Sequence, residues 1–151
     1  MRFVEMTRGR VFVLTIDTGE SIRRVIETFC GDHGVHNAKV TILGGMQTGS
    51  SYVSGPVLED GRETTPIKPT VVTTDAPTEF HGVGTVFPDE SGKPVMHLHG
   101  SLGREGSSST GCFRENAIAW LTMEVVIEEL VGEGAVRRLD REKMVAPLTL
   151  D

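Results

Sequence analysis

The stretch FHGVGTVFPDESGKPVMHLHGSLG, residues 80–103, decides the fold class of this chain. Two runs rich in apolar and β-branched residues, FHGVGTVF and VMHLHGSLG, lie on either side of the segment PDESGKP. Strand-like runs around a turn segment that contains proline, aspartate and glycine are typical of an antiparallel hairpin. The sequence therefore predicts a fold built on antiparallel strands.

The N-terminal part predicts two strands and one helix. We expect the strands over residues 2–6 and 11–16, which are rich in β-branched and aromatic residues. A turn then leads into the helix, with Thr18 or Ser21 as its N-cap. The helix has one apolar face, made by residues at helical spacing: Ile22, Val25, Ile26 and Phe29. Two glycines end it soon afterwards.

The remaining segments predict more strands and no second long helix. Before the hairpin we expect strands at VHNAKVTILGG (35–45), at its hairpin partner SSYVSG (50–55) and at TVVTT (70–74), with a loop over 56–69. After the hairpin, Gly106–Gly111 is Ser-rich and expected to be flexible, and Asn116–Leu130 fits either a helical turn at its start or a strand. The sum is the α+β class, with an antiparallel sheet packed on one main helix.

Length and composition limit the functional classes. The 151 residues predict a single domain over 1–151. No apolar run is long enough to span a membrane, and the N-terminus lacks the apolar stretch of a secretion signal, so we expect a cytoplasmic protein. The net charge of −6 counts against nucleic-acid binding by this domain alone, because counterion release favours a basic face. Cys30 and Cys112 are expected to be reduced thiols.

The HxH pair in the hairpin is the chemically distinctive feature. Alternation on a strand sends His97 and His99 to one face and Met96 and Leu98 to the other. Two imidazoles so placed can converge on one ion, about 2.0–2.1 Å from each nitrogen. Cys112 lies 13 positions past His99, across a Gly/Ser turn, where a neighbouring backbone could present its sulfur. The alternative is two partly exposed histidines and a small buried thiol.

Residues around this pair allow several roles. His81, on the preceding strand, could supply a fourth ligand or support the others. Arg114 beside a metal would suit a small anionic ligand, and Glu115 could act as a base, or the two could form a surface ion pair at the start of a short helix. His33 and His36 flank the end of the helix and are expected to support it rather than to bind metal.

Three stretches together resemble one known family. They are GVHNAKVTILGG (34–45), HLHGSLGREG (97–106) followed by TGCF (110–113), and EVVIEELVGEGAVRRLD (124–140). Their order and spacing are similar to those of the PPC (DUF296) family, found in plant AT-hook nuclear proteins and as free-standing prokaryotic proteins. The resemblance runs over roughly Arg10 to Leu148.

The resemblance implies an antiparallel sheet on a helix, a homotrimer and a metal site. In prokaryotic members the metal is bound by the HxH pair and by a third histidine after the glycine turn. Here Cys112 stands in that third place, beside His97 and His99. Since a thiolate is a good zinc ligand, the resemblance implies a divalent metal ion, with zinc first among the metals.

Three functions stay open at this point. The first is a trimeric metal-binding domain that is regulatory or senses a small ligand. The second is a metal-dependent hydrolase or lyase that acts on a small anion, unless His81 closes the coordination sphere. The third is a DNA-associated protein, but Arg8-Gly9-Arg10 lacks the proline and the further basic residues of an AT-hook and runs into a strand.

Overall fold

The fold consists of one helix and twelve strands. The computed structural model describes residues 1–151. In chain order the elements are β1 (Thr7–Asp17), α1 (Ile22–Asp32), β2 (Ala38–Met46), β3 (Ser51–Pro56), β4 (Leu58–Glu59), β5 (Arg62–Glu63), β6 (Pro69–Thr73), β7 (Thr78–Pro88), β8 (Pro94–Arg104), β9 (Ser107–Phe113), β10 (Ala119–Val131), β11 (Ala135–Arg137) and β12 (Leu148–Leu150).

Eight of the strands form one sheet in the order β1-β10-β2-β7-β8-β9-β3-β6, and every pairing within it is antiparallel. Two small pairs, β4-β5 and β11-β12, lie outside it. The α+β prediction of an antiparallel sheet packed on one main helix is confirmed. No helix has the length and apolar character needed to cross a membrane.

Helix α1 packs its apolar face against the sheet. It begins at the N-cap Ser21, whose hydroxyl oxygen lies 3.5 Å from the backbone nitrogen of Arg24. The side chains of Ile22, Ile26 and Cys30 are fully buried in the core. The predicted helix and its apolar face are therefore confirmed, with Ser21 rather than Thr18 as the cap.

The β7-β8 hairpin forms as the sequence predicts. At its tip one carboxylate oxygen of Asp89 accepts hydrogen bonds from the backbone nitrogens of Ser91 (2.8 Å) and Lys93 (3.0 Å). The two strands pair without interruption, with Val83 opposite His99 and Thr85 opposite His97. This register fixes which side chains of the two strands lie side by side.

Several local predictions are wrong because tertiary pairing decides the outcome. Residues 2–6 are not a strand, since the partner strand β10 ends where β1 begins, at the pair Thr7–Val131. SSYVSG is not the hairpin partner of β2, because β10 and β7 already occupy both edges of that strand. The Ser-rich stretch after Gly106 is not a loose loop: it forms β9, which pairs with β8 and β3. Of the two alternatives for Asn116–Leu130, the strand is the one that forms: β10 begins at Ala119 and pairs with β2.

Gly100 on β8 gives a direct test of how tightly the hairpin packs. A Cβ atom there would lie 2.5 Å from the carbonyl oxygen of His81 and 2.5 Å from the Phe80 ring, whereas one at Gly103 would meet only the carbonyl oxygen of Ser107, at 4.0 Å. We expect Gly100→Ala to lower the free energy of unfolding by about 1–3 kcal/mol. Gly103→Ala should leave it unchanged or raise it by up to about 1 kcal/mol. Urea denaturation at one protein concentration measures the free energy of unfolding of both variants. Equal values for the two variants would contradict the tight packing around Gly100.

Candidate metal centre

Two histidines of β8 point to the same face of the sheet. Met96 and Leu98, which alternate with them, are buried in the core. The Nε2 atoms of His97 and His99 lie 3.0 Å apart, and their ring planes are nearly perpendicular, at 86°. The backbone beside them is fixed by α1, because the carboxylate of Glu27 accepts a hydrogen bond of 2.8 Å from the nitrogen of Met96.

The neighbouring strand β9 supplies the third donor. Its register with β8 places Cys112 directly opposite His99. The ligand atoms of His97, His99 and Cys112 all lie within 4.8 Å of one another. We call these three residues the His/Cys cluster. The other cysteine, Cys30, is fully buried on the core-facing side of α1, and burial raises the pKa of its thiol to about 11.

Desolvation and nearby positive charges keep the ring of His97 neutral. Desolvation by the surrounding side chains is the largest cause that lowers its pKa, to about 4, although part of the ring stays exposed. The positive charge of Arg137 is the next cause, followed by His99 and two further arginines. Near neutral pH the imidazole of His97 is therefore uncharged, which is the form that binds metal ions.

The donor set of the His/Cys cluster fits a divalent metal. Zinc takes imidazole nitrogen and thiolate sulfur in tetrahedral geometry, and two nitrogens bound to one such ion lie roughly 3.3 Å apart. The 3.0 Å between the two Nε2 atoms is close to that separation. A metal ion bound by both imidazoles would thus require only small movements of these two rings.

The other predicted histidines lie outside the cluster. His81 lies opposite Ser101 on β8, and its ring does not join the group of converging ligand atoms. His33 is the C-cap of α1, and its Nδ1 atom lies 2.9 Å from the carbonyl oxygen of Phe29. The expected role of His33 at the helix end is thereby confirmed, and His36 follows in the loop after the helix.

A cleft of about 620 Å³ adjoins the cluster, and we call it the arginine cleft. His97 and Cys112 lie on its wall, and three arginines do so as well: Arg23, Arg114 and Arg137. Of the two alternatives for Arg114, the structure has the one in which it shares a cavity with candidate ligands. Glu115 does not line the cleft; it pairs with Arg23 at 3.0 Å, and the segment that follows is a strand rather than a short helix.

Arg137 is the residue of this site that the sequence analysis missed. It is only 5% exposed, and its guanidinium donates to the carbonyl oxygen of Val95 (3.3 Å) and to the hydroxyl of Thr85 (3.0 Å). Burial, followed by the charge of Arg23, lowers its pKa. The sequence signal was the segment AVRRLD, but nothing local tells which of its two arginines turns inward.

The outer face of the sheet carries a cross-strand row of five valines that also contains His99 and Cys112 of the cluster. One residue from each strand lies in this cross-strand row: Val13, Val126, Thr41, Val83, His99, Cys112, Val53 and Val71. Val13, Val83 and Val71 are 77%, 56% and 57% exposed. We call this set the valine row. Isolated exposed valines are ordinary, but a continuous row on one face is typical of a surface that another chain covers.

Comparison with known proteins places the chain in a family. A sequence profile of the Plants and Prokaryotes Conserved (PCC) domain matches residues 4–131. A metal-containing protein from Archaeoglobus fulgidus has a similar structure, with a TM-score of 0.82 and 25% identity over 100% of both chains. A plant- and prokaryote-conserved (PPC) protein from Pyrococcus horikoshii has a TM-score of 0.78 and 24% identity over 100% of this chain and 98% of its own.

A protein from Ralstonia eutropha JMP134, named as a candidate DNA-binding protein, shares the fold with a TM-score of 0.67 at 17% identity over 92% of this chain and 90% of its own. No curated protein matches the chain. The profile match covers most of the chain, including all eight strands of the main sheet. The chain therefore belongs to the Plants and Prokaryotes Conserved (PCC) domain family, which is the PPC family that its sequence resembles.

Proposed function

We propose that this protein binds one divalent metal ion, zinc by preference, at His97, His99 and Cys112, and acts as a regulatory or ligand-sensing domain. The observation that carries the proposal is the convergence of three ligand atoms within 4.8 Å from two adjacent strands. The description of the Archaeoglobus fulgidus relative as metal-containing supports it. The choice of zinc follows from the donors, since imidazole and thiolate together favour it.

The surroundings favour ligand binding over hydrolysis. A metal ion held by three protein ligands keeps a position for a further donor and supplies Lewis-acid chemistry there. The arginine cleft beside the cluster provides space for that donor. No carboxylate lines the cleft, and Glu115 is held by Arg23, so the cleft holds no carboxylate base for a hydrolase or lyase. The metal-dependent enzyme therefore remains the second candidate.

A direct role in DNA binding receives no support from the basic residues of β1. Arg10 forms an ion pair of 2.6 Å with Glu129, and Arg8 one of 3.2 Å with Glu128. These carboxylates neutralise the charges that a phosphate backbone would need. A partner protein or a further segment would have to supply the contact. Residence in the cytoplasm stays a prediction from the sequence.

Self-association into a homotrimer is part of the proposal. The valine row exposes apolar side chains along the whole face that carries His99 and Cys112. A second copy of the chain is the partner that the family resemblance implies, and the number three comes from that resemblance. Burial of this face would also restrict the access of solvent to the His/Cys cluster.

The histidine pair gives the first test. We expect His97→Ala and His99→Ala each to lose most of the bound metal, while the fold survives because the strand keeps its backbone hydrogen bonds. Metal analysis of the purified proteins, with circular dichroism as the check on folding, measures this. His36→Ala, which alters a histidine outside the cluster, is the matched control and should retain the metal. Full metal content in a variant that carries both the His97→Ala and the His99→Ala substitution would contradict the site.

Cys112 gives a second and sharper test. A thiol must lose its proton to bind, so metal affinity should fall as the pH falls. We expect Cys112→Ser to weaken binding by more than the roughly 10- to 100-fold that loss of a supporting group costs. Cys112→His should restore binding through a third imidazole. Cobalt-loaded protein should show a sulfur-to-cobalt charge-transfer band in the near ultraviolet, and absence of that band would make Cys112 a packing residue.

Light scattering tests the assembly. The wild-type protein should have the mass of a trimer at micromolar concentration. Val13→Asp combined with Val71→Asp places a charge at each end of the valine row and should lower the mass, because buried unpaired carboxylates are unfavourable. Leu58→Asp, at an exposed position of β4 outside the main sheet, is the control and should leave the mass unchanged. A monomeric wild type would refute the trimer, and an unchanged mass in the double variant would exclude the row as the interface.

A further inference from the structure

The arginine cleft holds a buried positive charge that no acidic side chain neutralises. Arg137 is 5% exposed, and both groups that accept its hydrogen bonds, the carbonyl of Val95 and the hydroxyl of Thr85, are uncharged. No carboxylate forms an ion pair with it. A buried ion without an opposite charge is unfavourable, and proteins compensate it with a counterion or a ligand.

The guanidinium of Arg137 also has donors to spare. A guanidinium carries five N–H groups in a planar fork, and only two of its nitrogens here, Nε and Nη2, donate to protein atoms. Arg114 lines the same cleft and makes no ion pair or side-chain hydrogen bond, whereas Arg23 is neutralised by Glu27 at 2.7 Å and Glu115 at 3.0 Å. Two of the three arginines are therefore available to an anion.

The rest of the cleft is largely apolar. The C-terminal segment 144–148 (MVAPL) forms one wall, and Val95, Met96 and Phe113 contribute apolar surface beside it. The cleft of about 620 Å³ is of the size that holds small organic molecules, which are recognised by a mostly apolar lining and a few placed polar groups. A site built for free phosphate would not need such a wall.

We propose that the arginine cleft binds a small organic carboxylate. Its carboxylate group pairs with Arg137 and Arg114, since the guanidinium fork matches two carboxylate oxygens. Its apolar part packs on residues 144–148. The inference rests on the proposed function in one respect, namely that His97 and Cys112 share the cleft wall and that a metal there faces the bound ligand; it adds the chemical class of that ligand.

Three probes test the ligand class on the full-length, zinc-loaded protein: hexanoate, its neutral analogue hexanamide, and inorganic phosphate. Titrations followed by NMR chemical shifts should show saturable binding of hexanoate with a dissociation constant on the order of 1 mM or tighter. Hexanamide has the same apolar part but no charge, and it should bind at least about 10-fold more weakly.

Variants connect the binding to the arginines. Arg137→Gln should weaken hexanoate binding about 10- to 100-fold. The affinity of Arg137→Lys for hexanoate should lie between those of Arg137→Gln and the wild type, because lysine keeps the charge but not the planar fork of donors. Arg138→Gln is the matched control: Arg138 pairs with Asp151 at 2.8 Å and does not line the cleft, so affinity should not change. Should Arg137→Gln fail to fold, Arg114→Gln, which removes no ion pair or side-chain hydrogen bond, should still weaken binding about 2- to 10-fold.

Several outcomes would overturn the inference. The inference is wrong if hexanoate and hexanamide bind with equal affinity. It is also wrong if the folded arginine variants bind hexanoate as tightly as the wild type does, or if only phosphate shows saturable binding. Repeating the titration on protein stripped of metal separates the two proposals. Binding of hexanoate that depends on Arg137 and survives metal removal supports the carboxylate site whatever the metal result. Normal metal content without such binding overturns the carboxylate site and leaves the metal site intact.

Discussion

The register between β8 and its two neighbours is the constraint on which the candidate site depends. Backbone hydrogen bonds to β7 and β9 hold β8 in the middle of the eight-stranded sheet. Because side chains alternate along a strand, one register sends Met96 and Leu98 into the core and His97 and His99 to the outer face. The same register sets Cys112 opposite His99. A slip by one residue on β9 would turn the sulfur inward and separate the three donors.

The core and the site constrain this register together. Leu98 is fully buried and lies between His97 and His99 in the chain. Phe113 is nearly fully buried and directly follows Cys112. Burying these apolar side chains stabilises the fold and, through alternation, exposes the metal-binding atoms. The chain therefore needs no separate loop to present the cluster. Such rigid placement on paired strands suits a site whose donor atoms must hold their geometry.

Electrostatics gives the two parts of the site different characters. Desolvation, and after it the positive charge of the arginines around His97, lowers the pKa of this residue and leaves a neutral imidazole for a metal ion. The same arginines surround the cleft with positive charge, although the whole chain carries a net charge of −6. At the β1 edge of the sheet, Arg10 and Glu129 cancel each other. Local charge therefore says more about the expected ligand than the net charge of the protein does.

Local pattern alone determined the helix, the β7-β8 hairpin, the α+β class and the common face of His97 and His99. Capping by Ser21, turn chemistry around Asp89 and alternation each act over a few residues, so they can be read from the chain directly. The resemblance to a family added Cys112 to the pair. Spacing along the chain allowed Cys112 but did not select it, because the Ser-rich stretch before this residue has the composition of a loop.

Tertiary structure alone decided which strands are neighbours and which charged side chains are buried. That β9 pairs with both β8 and β3, and that SSYVSG lies far from β2 in the sheet, depends on long-range hydrogen bonds that no local pattern encodes. Arg137 and Arg138 are adjacent and chemically identical, yet one is buried in the cleft and the other pairs with Asp151 at the surface. The difference arises because the short strand β11 docks beside β7, and only the folded chain brings Thr85 and Val95 to the side chain of Arg137.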